Sequence, residues 1–391
     1  MDETYRKAGK MDSECFCSAL DLSHTDLMNI IRGYLLEGTQ STNNIKTELY
    51  KLNVYSTHIF LIYLWLILRY HPGKGSFFKP HVDTPRGDKM FGSLVVVFPS
   101  PHEGGALLLR HHGQEWTFDS GEALASAAAK NEPSIGYVAF FSDIEHEVTP
   151  VTSGHRITLT YNLYFDHGGP VTPNDAVSEH LISPRLPNQA RFCDAFTALL
   201  GNPEFLADGG TLAFGLRHVY PIKDDLNHVY NILKGSDAAV YQSVLALGYE
   251  PVLYVYYDRR GVMIDKLVDF SSWMDAFCSQ EGPDIEDVVH MEGGVLVYRE
   301  GERIEMDPLD HSPPEGVEWV TPVTKFNRQT DAVVIGYAGN EPAMDWAYGD
   351  VCLVVRVGKA GDRLAYRTVA QLGSAYEKSE RRINLIRRYT S

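Results

Sequence analysis

The run Arg156-Ile157-Thr158-Leu159-Thr160-Tyr161-Asn162-Leu163-Tyr164 alternates between two kinds of side chain with a period of two. On a strand that period sends Arg156, Thr158 and Thr160 to one face and Ile157, Leu159 and Tyr161 to the other. The apolar face suits a core. The polar face then has to account for an arginine, and an unpaired buried charge costs several kcal/mol. On the inward face of a barrel, a dicarboxylate ligand would pair it: the guanidinium fork matches a terminal carboxylate, and Thr158 adds a hydroxyl donor.

Ten residues upstream of Arg156 stands His146, and earlier still His81-Val82-Asp83. Residues two apart share a strand face, so His81 and Asp83 can grip one ion. The apolar strand Gly136–Phe141 leads to His146, which can close the site from across a barrel. Two imidazoles and one carboxylate form a facial ligand set that leaves coordination positions open, as expected of a non-haem Fe(II) oxygenase. Between these residues lie short strand signals at 94–98, 106–110, 116–118, 136–141 and 157–165, with an alanine-rich helical stretch from Glu122 to Lys130. Many short strands separated by turn signals predict a sandwich or jelly roll. His111-His112 follows a strand, but adjacent residues face opposite ways, so solvent positions are expected there. The other histidines, His218, His228, His290 and His311, lack ligand spacing.

These motifs together resemble the iron(II)- and 2-oxoglutarate-dependent dioxygenases, and within them the prolyl 4-hydroxylase-like branch. Phe77-Phe78-Lys79-Pro80-His81-Val82-Asp83-Thr84 is similar to that branch's first metal motif, and Gly104-Gly105-Ala106-Leu107 to its double-glycine strand start. His146-Glu147-Val148 through Gly154-His155-Arg156 resembles its distal histidine followed ten residues later by the basic residue, and Phe141-Ser142-Asp143-Ile144-Glu145-His146 is close to a group of fungal members. The resemblance runs roughly from Leu49 to Phe165. It implies a double-stranded β-helix with Fe(II) on His81, Asp83 and His146. It also implies 2-oxoglutarate held by Arg156 and Thr158, with ascorbate a candidate cofactor. The implied activity is hydroxylation of a protein side chain, prolyl among them, or of a small molecule, with succinate and CO2 as coproducts. A tyrosine near this point contacts the cosubstrate in relatives; Tyr55 and Tyr70 are both candidates and neither is assigned.

The expected organisation is a helical segment over 1–46, the oxygenase domain over 47–168 and a further domain over 187–391. The fold class is α+β: a jelly-roll core with flanking helices, plus a mixed α/β C-terminal region. The first helix is read over Thr25–Leu36, and a strand over Thr47–Tyr55. Pro- and Gly-rich sequence between Asp166 and Pro187 marks the boundary. Beyond it, helices are expected over Gln189–Leu200 and Ala238–Leu247, the latter capped by Ser236 or Asp237 and stopped by Gly248. Strands are expected near 212–216, 252–257, 294–298, 333–337 and 351–357. The resemblance leaves two readings for this half, a second, degenerate barrel or a separate cap. The tail from Lys378 to Arg388 reads as a solvated basic face.

Ile59-Phe-Leu-Ile-Tyr-Leu-Trp-Leu-Ile-Leu68 falls short of the roughly 20 apolar residues a membrane span requires. It interrupts the family pattern: removing residues 56–70 would join Lys51-Leu-Asn-Val-Tyr55 directly to His71-Pro-Gly-Lys-Gly-Ser-Phe-Phe. The stretch therefore reads as a translated intron or gene-model error, and a mature transcript encoding it in frame would remove that reading.

With 35 Lys and Arg against 51 Asp and Glu, the chain carries a net charge of -16, which disfavours nucleic acid as substrate. Lys74, Lys79, Arg86 and Lys89 nevertheless surround the first motif and can attract an acidic partner. Five scattered cysteines and an amino terminus without an apolar signal region point to a reducing, intracellular setting, cytoplasmic or nuclear. Two other function classes compete: a silent iron- and 2-oxoglutarate-binding scaffold or interaction module, and a zinc hydrolase on the same ligands. Hydrolytic zinc has no use for Arg156.

Overall fold

The structure is a computed structural model. It describes residues 6–22, 25–36, 44–56, 75–132, 134–166, 188–258, 261–270, 272–273, 285–299, 315–338 and 341–364. The apolar segment from Ile59, Tyr70 and the basic tail lie outside the described residues. The chain divides into two compact units, Met1–Pro184 and Arg185–Ser391.

The first unit is built from strands. They are β1 (Arg6–Lys7), β2 (Gly9–Asp12), β3 (Asn44–Ser56), β4 (Phe77–His81), β5 (Met90–Val97), β6 (His102–Gly104), β7 (Leu107–His111), β8 (Gln114–Phe118), β9 (Gly136–Phe141), β10 (Glu145–Val148) and β11 (Val151–Asp166), with helices α1 (Leu27–Leu35) and α2 (Ser120–Ala129). One sheet runs β1-β4-β10-β7-β8 and the other β2-β3-β11-β5-β9, with β6 on β11. Every pairing in this unit is antiparallel.

The alternation read from Arg156 onward sets the centre of the second sheet. Leu159 and Leu163 are fully buried beside Leu94 and Val96 of β5, while Arg156, Thr158 and Asn162 on the opposite face are also buried. A strand buried on both faces, one apolar and one polar, separates a core from a polar cavity. The expected strands all appear, mostly longer at one end. Strands β1 and β2 replace part of the expected helical segment over 1–46. They are too short to carry an alternating pattern, and their partners β4 and β3 recruit them at sheet edges.

His112 is exposed as expected, but the premise that His111 and His112 face opposite ways requires a correction. Their rings meet with centroids 4.0 Å apart. His112 and Gly113 form the two-residue turn between β7 and β8, at φ 48 and φ 76, so His112 has left the strand and swings back toward its neighbour.

The two strands flanking the apolar segment are joined at their ends. The buried Ser76 hydroxyl donates to the Ser56 carbonyl at 2.8 Å, and the Val151 amide donates to the Ser76 carbonyl at 3.0 Å.

The second unit contains α3 (Asn188–Gly201), β12 (Gly210–Gly215), α4 (Gly235–Ala246), β13 (Pro251–Tyr257), β14 (Val262–Ile264), α5 (Ile285–Met291), β15 (Val295–Arg299), β16 (Glu315–Thr321), β17 (Arg328–Ala338) and β18 (Glu341–Val357). β12 pairs with β16 on one side and β18 on the other, so β12-β16-β15-β14-β13-β18 closes into a ring, with β17 outside on β18. The β12–β16 and β15–β16 pairings are parallel. Fully buried Leu212, Leu253, Val255, Met263, Leu353 and Val355 come from these strands.

Helix α4 ends as expected at Gly248, whose φ of 91 allows the Tyr249 amide to donate to the Val244 carbonyl. Its start differs. Asp237 lies inside the first turn and accepts from the Arg217 and His218 amides at 2.9 and 3.1 Å and from the Tyr220 hydroxyl at 2.8 Å. Burial pushes its carboxyl pKa up, and these donors with nearby His218 oppose that rise. Asp237→Ala would strand three donors, so we expect a loss of about 3 kcal/mol, read as a lower urea midpoint.

Candidate metal centre

Three side chains from two neighbouring segments converge at the cavity. His81 ends β4 and His146 lies on β10, where the two are direct partners in register. Ring centroids stand 4.2 Å apart. Asp83 follows two residues after His81, and ligand atoms of all three lie within 4.8 Å of one another. His146 Nε2 and Asp83 Oδ1 are 3.8 Å apart, within the span of two metal bonds of about 2.1 Å each.

Each ligand is also held from behind. His81 Nδ1 bonds to the Lys79 carbonyl at 2.8 Å, and His146 Nδ1 to the Ile144 carbonyl at 3.0 Å. A carbonyl only accepts, so Nδ1 carries the proton and Nε2 presents a lone pair to the cavity. The Ser93 hydroxyl donates to Asp83 Oδ2 at 2.6 Å, leaving Oδ1 for an ion. Phe78 stacks on His81 at 3.7 Å and Phe140 meets His146 at 4.7 Å, which restricts both rings. Two neutral imidazoles and one carboxylate with oriented lone pairs fit a divalent cation with open positions, Fe(II) included.

The same cavity, of about 330 Å³, is lined by Tyr55, Arg156 and Thr158. Arg156 is only 1 % exposed. Its Nε donates to the Ser120 hydroxyl at 3.4 Å, and among the described residues its Nη2 has no hydrogen-bond partner. Burial presses the guanidinium pKa below its ordinary range, opposed by Tyr55, whose ring lies 5.4 Å away. Gly105, at φ 68, makes room for this side chain: a Cβ there would sit 2.9 Å from Arg156 Cδ. An orphaned guanidinium nitrogen on a residue that lines a cavity fits a carboxylate, and 2-oxoglutarate carries one at the end remote from its keto acid.

Behind Arg156 runs a short buried chain of hydrogen bonds. The Ser120 hydroxyl meets His102 Nε2 at 2.9 Å, and His102 Nδ1 meets the Ser100 carbonyl at 2.8 Å. Nδ1 must donate to that carbonyl, so Nε2 of the neutral ring accepts from Ser120, whose oxygen then receives Arg156. Burial lowers the His102 pKa from its ordinary 6.5, as does Arg156, while the Ser100 bond and Asp119 oppose the shift. In the unfolded chain this ring takes up a proton near 6.5, so its contribution is complete above that pH and is lost as pH falls toward the lowered folded value. The melting temperature should therefore drop as pH falls through and below about 6.5, with a smaller slope in His102→Gln. Equal slopes in the two proteins would refute the role given to this ring.

All five residues singled out by sequence, His81, Asp83, His146, Arg156 and Thr158, line this one cavity. Of the two candidate tyrosines, Tyr55 also lines it. Sequence reading missed Ser93, Ser120 and His102. Ser93 was within reach, since it lies on β5 with Val95 at period two and both line the cavity. Ser120 and His102 gave no signal.

Residues 65–164 match a family model described as the 2OG-Fe(II) oxygenase superfamily. That span includes every ligand candidate and Arg156. Searching curated proteins gives no match. Among solved structures, an oxidoreductase of the 2OG-Fe(II) oxygenase family from Burkholderia pseudomallei is 19% identical, with 30% of this chain and 44% of that chain covered and a TM-score of 0.21. The present chain thus spans less than half the length of that relative. A Pseudomonas putida prolyl-4-hydroxylase is 16% identical, over 42% of this chain and 72% of that one, with a TM-score of 0.26. A prolyl hydroxylase from Trichoplax adhaerens, in complex with a peptide fragment of the hypoxia inducible factor oxygen degradation domain, is 18% identical, over 32% and 44%, with a TM-score of 0.20. Among the described residues no helix is long and apolar enough to cross a membrane.

Proposed function

We propose that the first unit is an Fe(II)- and 2-oxoglutarate-dependent dioxygenase that hydroxylates a protein side chain, prolyl among the candidates, or a small molecule. One observation carries the reading. The three residues with oriented ligand atoms line the same cavity as Arg156, whose buried Nη2 has no hydrogen-bond partner among the described residues.

His81, Asp83 and His146 would hold the iron, and Arg156 with Thr158 the remote carboxylate of 2-oxoglutarate. Bound iron and cosubstrate supply the oxygen chemistry, which inserts a hydroxyl group and yields succinate and CO2. The protein's part is placement. Ser93 aims Asp83, the Lys79 and Ile144 carbonyls fix the imidazole tautomers, and the Ser120–His102 chain holds the arginine in line. Phe78 and Phe140 pack against the two imidazoles and restrict their rotation. Arg156 also argues against zinc hydrolysis, which leaves a buried cation with nothing to bind.

The test is anaerobic titration with Fe(II) and then 2-oxoglutarate, followed by admission of oxygen. A charge-transfer band on chelation and succinate after oxygen are expected; folded protein giving neither overturns the proposal.

A further inference from the structure

At the lip of the same cavity, β3 is irregular. Lys51 pairs with Thr160 and Leu49 with Tyr161, so Tyr50 is an extra residue without a partner. Such a bulge re-aims side chains, and here consecutive residues Tyr50 and Lys51 both line the cavity instead of facing opposite ways. Arg86, from the segment after Asp83, completes the group. Its Nη2 donates to the Tyr50 hydroxyl at 2.6 Å, and Lys51 Nζ donates to the same oxygen. Both cations also lie over the Tyr50 ring, at 4.1 and 4.0 Å from its centre.

The hydrogen-bond inventory of this cluster is one-sided. Two cation donors occupy the Tyr50 oxygen, so its own O–H must point elsewhere. Lysine and arginine have no acceptor atoms. Among the described residues neither cation has a carboxylate within 4.0 Å. Among the described residues the two cations thus share a neutral acceptor, the Tyr50 oxygen, and meet no carboxylate, in a protein whose net charge of -16 repels anions at long range.

We propose that Tyr50, Lys51 and Arg86 form an oxyanion subsite, and that the substrate presents a carboxylate or phosphate there while its reacting carbon faces the metal centre. An acceptor-only group complements two cations that carry only donors, and charge-assisted hydrogen bonds are the strong ones. This proposal rests on the oxygenase reading of the cavity, and it narrows the substrate to acidic molecules or to peptides with an acidic residue near the modified position.

The experiment uses the full chain loaded with Mn(II) and 2-oxoglutarate without oxygen. Loading is read first and separately: if it fails, the oxygenase reading fails, and the probes are titrated on unloaded Arg156→Met protein, where Lys51 and Arg86 remain at the lip. The probes are the N-acetyl amides of glutamate, phosphoserine and glutamine, followed by calorimetry. Glutamate or phosphoserine should bind in the millimolar range, about tenfold more tightly than glutamine, and Lys51→Gln and Arg86→Gln should each erase that preference. Preference for the first two over each other tells carboxylate from phosphate. Equal affinity for all three probes, a preference that survives both substitutions, or no binding up to about 50 mM would overturn the subsite.

Discussion

His146→Ala should leave a folded protein that no longer holds Fe(II) at working concentrations and forms no succinate. The residue is 7 % exposed and contributes one of three ligand atoms. Disturbing only the groups behind a ligand costs 10- to 100-fold in metal affinity in typical sites, so removing the ligand itself should cost at least about 100-fold. The loss should be selective. Circular dichroism and melting temperature should stay near wild type, since β10 is held by pairings to both β4 and β7. Retention of stoichiometric, tight Fe(II) binding by this variant would remove His146 from the ligand set. Turnover lost with metal affinity intact would assign it another role.

Arg156→Met should move two measurements in opposite directions. Without cosubstrate, the wild-type guanidinium is a buried charge with an unpartnered nitrogen, and a methionine of similar length relieves that desolvation. The variant should therefore be more stable than wild type, by about 1–3 kcal/mol, when no 2-oxoglutarate is present. With Mn(II) and 2-oxoglutarate the order should reverse, because truncating one partner of a buried charge pair costs about 2–5 kcal/mol, roughly 30- to 5000-fold in affinity. Melting curves with and without cosubstrate read both effects. Undiminished 2-oxoglutarate affinity would take Arg156 out of the cosubstrate site. A destabilised apo variant would mean that the charge has another, structural partner.

The residues of this centre were legible because their roles are written in short-range spacing. His81 and Asp83 are two apart, and Arg156 opens a run whose period of two survives without interruption. The residues that support them were not. Ser93 reaches Asp83 across the cavity, and Ser120 and His102 reach Arg156 from a helix start and a three-residue strand. Only the folded chain makes those meetings. Tyr50 was hidden for a different reason: a bulge breaks the alternation that sequence reading relies on, so its apparent face is the wrong one. In the second unit individual strands could be read, but not their closure. The ring depends on parallel pairings of β16 with β12 and β15, and nothing local in any of the three announces its partner.

The hydrogen bond from Ser76 to Ser56 separates contour length from register. Strand β3, which carries Tyr50 and Tyr55, takes its position from twelve partners on β11, and β4, which carries His81, takes its own from β1 and β10. Neither borrows alignment from the covalent path between them. Tyr55 and His81 are thus brought to one cavity by cross-strand pairing and by the Ser56–Ser76 contact, so the two halves of the centre could be aligned even in a chain cut between them.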